Sequence, residues 1–148
     1  MSERILVADD EANLRKVLAG LLRKQGYQVT TAADGEEALA HLESEEFAAV
    51  LSDLRMPRLD GMGLLREVAE RWPGLPVILV TAHGTVDTAV EALKVGAFDF
   101  ISKPFDQDEL AKVVANAVRT RSLARQVHAP TLRALDEDDG RFGLIGRS

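Results

Sequence analysis

Apolar positions along the chain follow two alternating periods, and the alternation predicts five strand–helix units. Ile5-Leu6-Val7-Ala8 is an unbroken apolar run closed by Asp9-Asp10, the length and pattern of a buried strand. Leu14, Val17, Leu18, Leu21 and Leu22 then recur at three- and four-residue spacing until Gly26, which predicts a helix with those residues inward. Tyr27 to Thr31 supplies a second strand; Asp34 is placed to cap a helix, with Glu37 three residues on and Ala38, Leu39 and Leu42 as its inner face. Ala48 to Leu51 is a third strand, and Leu64, Leu65 and Val68 mark a helix that Pro73-Gly74 ends. Pro76 to Val80 is the most apolar strand, followed by a helix with Val86, Ala89, Val90 and Leu93 expected inward and Gly96 as its stop. Phe98 to Ser102 is the fifth strand, and Asp106 caps the last helix with Glu109 in the capping-box position.

Strands that alternate with helices imply an α/β fold with a five-stranded parallel sheet, doubly wound, because each parallel crossover needs a helix-length connection. Apolar strands fit burial on both faces. In such sheets ligands bind outside the carboxyl ends of the strands, where the strand order reverses. Applied here, that rule selects Asp9 and Asp10 after the first strand, Asp53 after the third, Thr81 after the fourth and Lys103 after the fifth.

Composition narrows the classes. With 148 residues there is room for one domain and a tail, and 46% hydrophobic with 28% charged residues is the make-up of an ordinary globular protein. A net charge of -6 with no Lys/Arg-rich run argues against direct nucleic-acid binding by this chain, since phosphate backbones are gripped by basic surfaces. The absence of cysteine removes disulfides and thiolate metal sites, and no apolar run approaches the ~20 residues a spanning helix needs, so a cytoplasmic protein without membrane association is expected. His41, His83 and His128 lie on separate segments without metal-ligand spacing and are assigned no site.

The selected residues set a physical problem. Two carboxylates ~4 Å apart repel by about 4 kcal/mol at an effective dielectric near 20, so three acids in one crevice call for a cation. Lys103 can neutralise one of them. Hard oxygen donors without His or Cys favour Mg2+, which is held by one or two carboxylates plus a phosphate. An aspartate in that setting can attack phosphorus and form an acyl phosphate, with a lysine and a hydroxyl stabilising the transferred oxygens. Taken singly, Asp9-Asp10 could cap a helix, Thr81 could be a turn residue, Lys103 a solvated charge and Phe100 plain core; their joint placement at strand ends favours chemistry.

As a set, Asp9-Asp10, the stretch from Asp53 through Arg55, Met56 and Pro57 to Asp60-Gly61, Thr81-Ala82 and Lys103-Pro104-Phe105 resemble the signature of bacterial response-regulator receiver domains, over about residues 3–120. The resemblance implies a CheY-like, flavodoxin-like strand order 2-1-3-4-5 and a cis Lys103-Pro104 bond. It also implies a phosphoryl group on Asp53, Mg2+ held by Asp10, Asp53 and the Arg55 carbonyl with Asp9 assisting through water, Lys103 on a phosphoryl oxygen, and a Thr81–Phe100 switch. It implies a phosphoacceptor regulator with self-phosphorylation and self-dephosphorylation chemistry only, partnered by a sensor histidine kinase. A flavodoxin-type carrier would need a phosphate-cradling first loop, which Asp9-Asp10-Glu11 opposes, and a dehalogenase-like phosphatase would need a second Asp where Arg55 stands. The remaining alternative is an unphosphorylated receiver-like binding module.

The run from Thr81 to Phe100 is similar to receivers of the NtrC subfamily, whose output is an AAA+ ATPase acting on the enhancer-dependent sigma factor, so the full-length protein is expected to act on DNA and that factor. Residues 1–120 are then expected as the receiver, 121–140 as a linker with a helical extension and the acidic stretch Asp136 to Gly140, and 141–148 as the start of a truncated output domain. No G-x-x-x-x-G-K-[ST] phosphate loop occurs in the sequence. Past the length a receiver needs, Leu123, Ala124 and Val127 continue the helical spacing before Pro130, and with the subfamily resemblance this raises the expectation of a homodimer.

Overall fold

The computed structural model describes residues 3–82 and 85–126. Five strands, β1 (Arg4–Ala8), β2 (Gln28–Ala32), β3 (Ala49–Ser52), β4 (Val77–Thr81) and β5 (Asp99–Ser102), form one parallel sheet in the order β2-β1-β3-β4-β5. They alternate with α1 (Ala12–Lys24), α2 (Gly35–Ser44), α3 (Gly61–Arg71), α4 (Val86–Val95) and α5 (Gln107–Gln126). The order reverses between β1 and β3, which puts the carboxyl ends of those two strands side by side.

Side chains alternate across the central strands and so divide the core into two layers. Leu6, Val50 and Leu79 pack with Ala38, Leu42, Leu64, Leu65 and Val68 on the α2–α3–α4 side. Ile5, Leu51, Ile78 and Val80 pack with Leu18, Leu22, Leu110 and Val114 on the α1–α5 side. Leu22 and Leu110 are fully buried, and each contributes about 1.5–3 kcal/mol relative to an exposed side chain. The interior strands are β1, β3 and β4, which are buried along their whole length but for Arg4 at the start of β1; β2 and β5, with Gln28 and Ser102 exposed, are the edges.

Local chemistry sets the ends of the elements. Asp34 accepts the Glu37 amide at the start of α2 (2.8 Å), and Glu37 reaches back to the Ala33 amide (2.6 Å), one residue before the cap. Asp60 accepts the Gly63 amide to start α3, and Thr85 accepts the Thr88 amide to start α4. Gly96, at φ 127, ends α4, where a side chain would be strained. Asp106 accepts the Asp108 amide at the start of α5.

Two expectations are corrected. Four strands begin one residue later than the apolar runs, and β2, β3 and β4 end one residue later, because ladder hydrogen bonding rather than side-chain polarity defines a strand; Pro76, for example, serves as an acceptor for the Val50 amide without being in β4. The larger correction concerns which faces are inward. Val86, Val90 and Leu93 are 79%, 45% and 50% exposed, Ala89 is half-buried, and Ala92 is the fully buried residue of α4. Apolar residues occupy two adjacent stripes of this helix, and the small stripe with Ala92, backed by half-buried Val95, is the one that meets the core. Val17 on α1 is likewise exposed (52%). Residues 127–148 lie outside the described residues, as do His83 and Gly84, and the expected acidic stretch and 141–148 segment fall there.

Candidate functional site

Ladder bonds that run one residue past the strands set the site. The Asp9 amide donates to the Ala32 carbonyl (3.0 Å), the Asp53 amide to the Ala8 carbonyl (2.9 Å) and the Lys103 amide to the Thr81 carbonyl (2.9 Å). Each of these residues leaves the sheet with its backbone still tied to a neighbouring strand, so their side chains project from fixed points into the same crevice. Carboxylate oxygens of Asp9, Asp10 and Asp53 lie within 4.8 Å of one another. Asp9 and Asp53 are buried and Asp10 is exposed, so the cluster opens to solvent on one side. Lys103 Nζ is 3.0 Å from Asp53 Oδ2 and 3.5 Å from Asp9 Oδ2, and the Lys103–Pro104 bond is cis.

The two buried carboxylates are pushed in opposite directions. Burial is the largest influence on Asp53 and would raise its pKa. Hydrogen bonds from Lys103 and Thr81, the Lys103 charge and the Arg55 amide (3.3 Å) together overcome burial and hold the group below its ordinary value. Burial also dominates at Asp9, and there it wins. The Glu11 amide (2.8 Å) and Lys103 pull the pKa down, the Asp53 charge pushes it up, and the carboxyl ends above its ordinary value. Of the two, Asp53 therefore gives up its proton more readily, and Asp9 is the group for which a cation would be most welcome. Three hard carboxylate oxygens without nitrogen or sulfur donors fit a divalent cation of the magnesium class.

Thr81 is fully buried at the end of β4. Its strand partner is Ser102, while Leu79 pairs with Phe100, so Phe100 sits one pair further down the same face. Phe100 is half-buried against the core layer of α2–α4. Asp9, Asp10, Asp53, Thr81 and Lys103, chosen from the strand ends, are thus brought together; Arg55 adjoins them through its backbone, and Phe100 stands apart as a packing residue.

Some contributors had no counterpart in the sequence reading. Arg15 donates to the Asp9 carbonyl (2.6 Å), and Arg58 donates from both Nε and Nη2 to Asp34 Oδ2 (3.0 and 2.7 Å). Opposite charge 24 residues apart is too common to single out that second pair from sequence. Cavities of about 310, 250 and 430 Å³ are lined by Trp72 and Leu75, by Arg15 and Thr31, and by Val17 and Gln107 among others; none includes Asp53 or Lys103.

Residues 5–115 match the family model described as response regulator receiver domain. The chain is 40% identical to the DNA-binding transcriptional regulator NtrC of Salmonella typhimurium, over 97% of this chain and 32% of that protein. It is 42% identical to the regulatory protein AtoC of Escherichia coli, over 84% of this chain and 27% of that one. Among solved structures, NtrX from Brucella abortus in complex with ADP superposes with a TM-score of 0.82 at 39% identity, covering 92% of this chain and 31% of that chain. A receiver domain protein from Clostridium thermocellum superposes at 0.77 with 36% identity, covering 82% and 98%. The chain thus spans about a third of the length of the curated relatives it matches.

Proposed function

The chain belongs to the response-regulator receiver family, as a receiver domain of the NtrC subfamily, and from that premise we propose that Asp53 is its phosphoacceptor and that the acidic cluster binds Mg2+. The observation that carries this reading is Lys103 Nζ at 3.0 Å from Asp53 Oδ2 inside a cluster of three carboxylates. An Asp53 carboxylate oxygen attacks phosphorus, the bond from phosphorus to the donor's leaving atom breaks with its electron pair going to the donor, and an acyl phosphate remains. The donor is a sensor histidine kinase or a small acyl phosphate. Lys103 and Thr81, already bonded to Asp53, are positioned to pass those bonds to phosphoryl oxygens. Asp10, Asp53 and the Arg55 carbonyl would hold Mg2+, with Asp9 assisting through water. The ion would supply the positive charge that one lysine cannot provide for three acids and a phosphoryl group.

Movement of Thr81 toward the phosphoryl group would be felt at Phe100, one pair away on the same face, and so at the surface of α4, β5 and α5. The exposed Val86, Val90 and Leu93 on that surface support it as the place where the signal leaves the domain. Continuation of α5 to Gln126 supports a helical connection from a receiver at residues 1–120 into a linker, and a two-fold dimer through α5 and its extension. In the full-length protein the receiver would then govern an AAA+ output acting on DNA with the enhancer-dependent sigma factor, in the cytoplasm; no helix among the described residues is long and apolar enough to cross a membrane.

Intact mass after incubation with acetyl phosphate and Mg2+ tests the assignment. The native chain should gain one phosphoryl group and Asp53→Asn none. Equal labelling of the two, or none of the native chain, would overturn it.

A further inference from the structure

Arg58 is the one described non-glycine residue with positive φ (70°). The Leu59 amide donates to the Pro57 carbonyl across it (2.8 Å), which closes a three-residue γ-turn of the rare left-handed kind. Any residue with a Cβ is strained there, so the surroundings must hold the turn. The N-terminus of α2 does so at two successive residues. Asp34 Oδ2 accepts both Nε and Nη2 of Arg58, while Oδ1 of the same buried carboxylate caps α2 on the Glu37 amide. The Gly35 amide donates to the Leu59 carbonyl (3.1 Å), and a Cβ on Gly35 would collide with the Leu59 main chain.

At its other end the same loop is tied to the phosphoacceptor strand. The Gly61 amide donates to the Leu54 carbonyl (2.8 Å), and the Arg55 amide to Asp53 Oδ1 (3.3 Å). Arg55 to Pro57 therefore hangs between two anchors, one on β3 and one on α2. We propose that the Asp34–Arg58 pair is a positioning latch: by holding the left-handed turn at Arg58, it aims the Arg55 carbonyl at the cation site and so sets the Mg2+ affinity of the domain. The latch rests on the phosphoacceptor reading above, since it needs a cation at the cluster. Neither residue touches the ion or Asp53; both act through the loop. With 63% of the Arg58 side chain exposed, the pair adds little stability as an ion pair, and what it contributes is geometry. Glu36, 3.9 Å from Arg58 Nε, is beyond hydrogen-bond distance.

The test uses the whole chain and Mg2+ alone, titrated by calorimetry, with Arg55 and Met56 amide shifts recorded in the metal-free protein. Arg58→Ala removes the guanidinium and keeps the Cβ that disfavours the turn; Asp34→Asn removes the charge and keeps a competent helix cap. Each should weaken Mg2+ binding by about tenfold, as loss of a group that orients a ligand typically does, and shift both amides before metal is added. The double variant should be no weaker than either single. Arg58→Gly, which adopts positive φ freely, should recover most of the affinity lost in Arg58→Ala. Arg71→Ala, which breaks an exposed pair with Glu43 away from the cluster, should leave Mg2+ binding as it is. Unchanged affinity and shifts in Arg58→Ala and Asp34→Asn, an equal loss in Arg71→Ala, or no recovery in Arg58→Gly would each overturn the latch. If the native chain is labelled at Asp53 and binds Mg2+ while these variants match it, the latch alone falls. If the native chain does neither, the phosphoacceptor reading falls and the latch with it.

Discussion

Asp9→Asn should make the metal-free domain more stable while weakening its response to Mg2+. In the native crevice Asp9 lies no more than 4.8 Å from carboxylate oxygens of Asp53 and Asp10, a repulsion of at least about 3–4 kcal/mol per pair at an effective dielectric near 20. The Asp10 share is smaller, because that residue is exposed and screened by solvent. Against this stands Lys103 at 3.5 Å, worth about 5 kcal/mol on the same scale. The charge terms nearly cancel, so burial of Asp9 decides the sign, in agreement with its raised pKa. Asparagine keeps an oxygen for the Glu11 amide and discards the buried charge, and a gain of about 1–2 kcal/mol is expected. In a thermal melt with EDTA near pH 7 that is an increase of about 3–10 °C.

Because the folded-state pKa of Asp9 is raised, its favourable contribution is complete below the ordinary value of 3.8 and is lost as pH rises through the folded value. Asp53 behaves oppositely: its pKa is lowered, so its contribution is present above 3.8 and fades as pH falls through the folded value. The advantage of Asp9→Asn should therefore grow from acid toward neutral pH. Mg2+ at a hundred times its dissociation constant would stabilise the native domain by about 2.7 kcal/mol, enough to reverse the order of the two melts. A variant that melts below the native chain in EDTA, or that gains as much from Mg2+, would refute the reasoning.

Gly61→Ala should cost about 3 kcal/mol or more and abolish labelling by acetyl phosphate, because the added Cβ collides with the Asp53 carbonyl and comes within 2.8 Å of Leu54 Cα; chemical denaturation and intact mass check both. Thr81→Ala should leave labelling possible but blunt the beryllofluoride-induced amide shifts around Phe100 and α4, and shifts equal to the native ones would refute the coupling. The full chain should sediment as a dimer or a monomer–dimer mixture that beryllofluoride displaces, whereas a version ending at Thr120 should be more monomeric. A monomer at high concentration for both chains, each with and without beryllofluoride, would defeat the dimer.

Much of the molecule is set by local pattern. The switch between strand and helix spacing, the Asp34 cap, the Gly26 and Gly96 stops and the acids and lysine at strand ends are all readable in order along the chain, because each depends on residues within a turn or two of itself. That reading reached the five-stranded fold and the five side chains that converge in the crevice, since the rule placing sites at the carboxyl ends of parallel strands turns sequence position into spatial position. Only the tertiary structure decided which apolar stripe of α4 is covered. Val86, Val90 and Leu93 have the right spacing for a core face, but the small Ala92 stripe allows closer approach to the sheet, and no local signal ranks the two. It also decided that Asp9 and Asp53, identical in chemistry and both buried, take opposite pKa shifts, because the balance depends on Lys103 and Thr81 approaching from other strands. The Arg58 turn is the clearest case. Sequence alone marks it as an ordinary loop residue; its left-handed backbone and the grip on it by a carboxylate 24 residues earlier, at the N-cap of α2, are visible only in the folded chain.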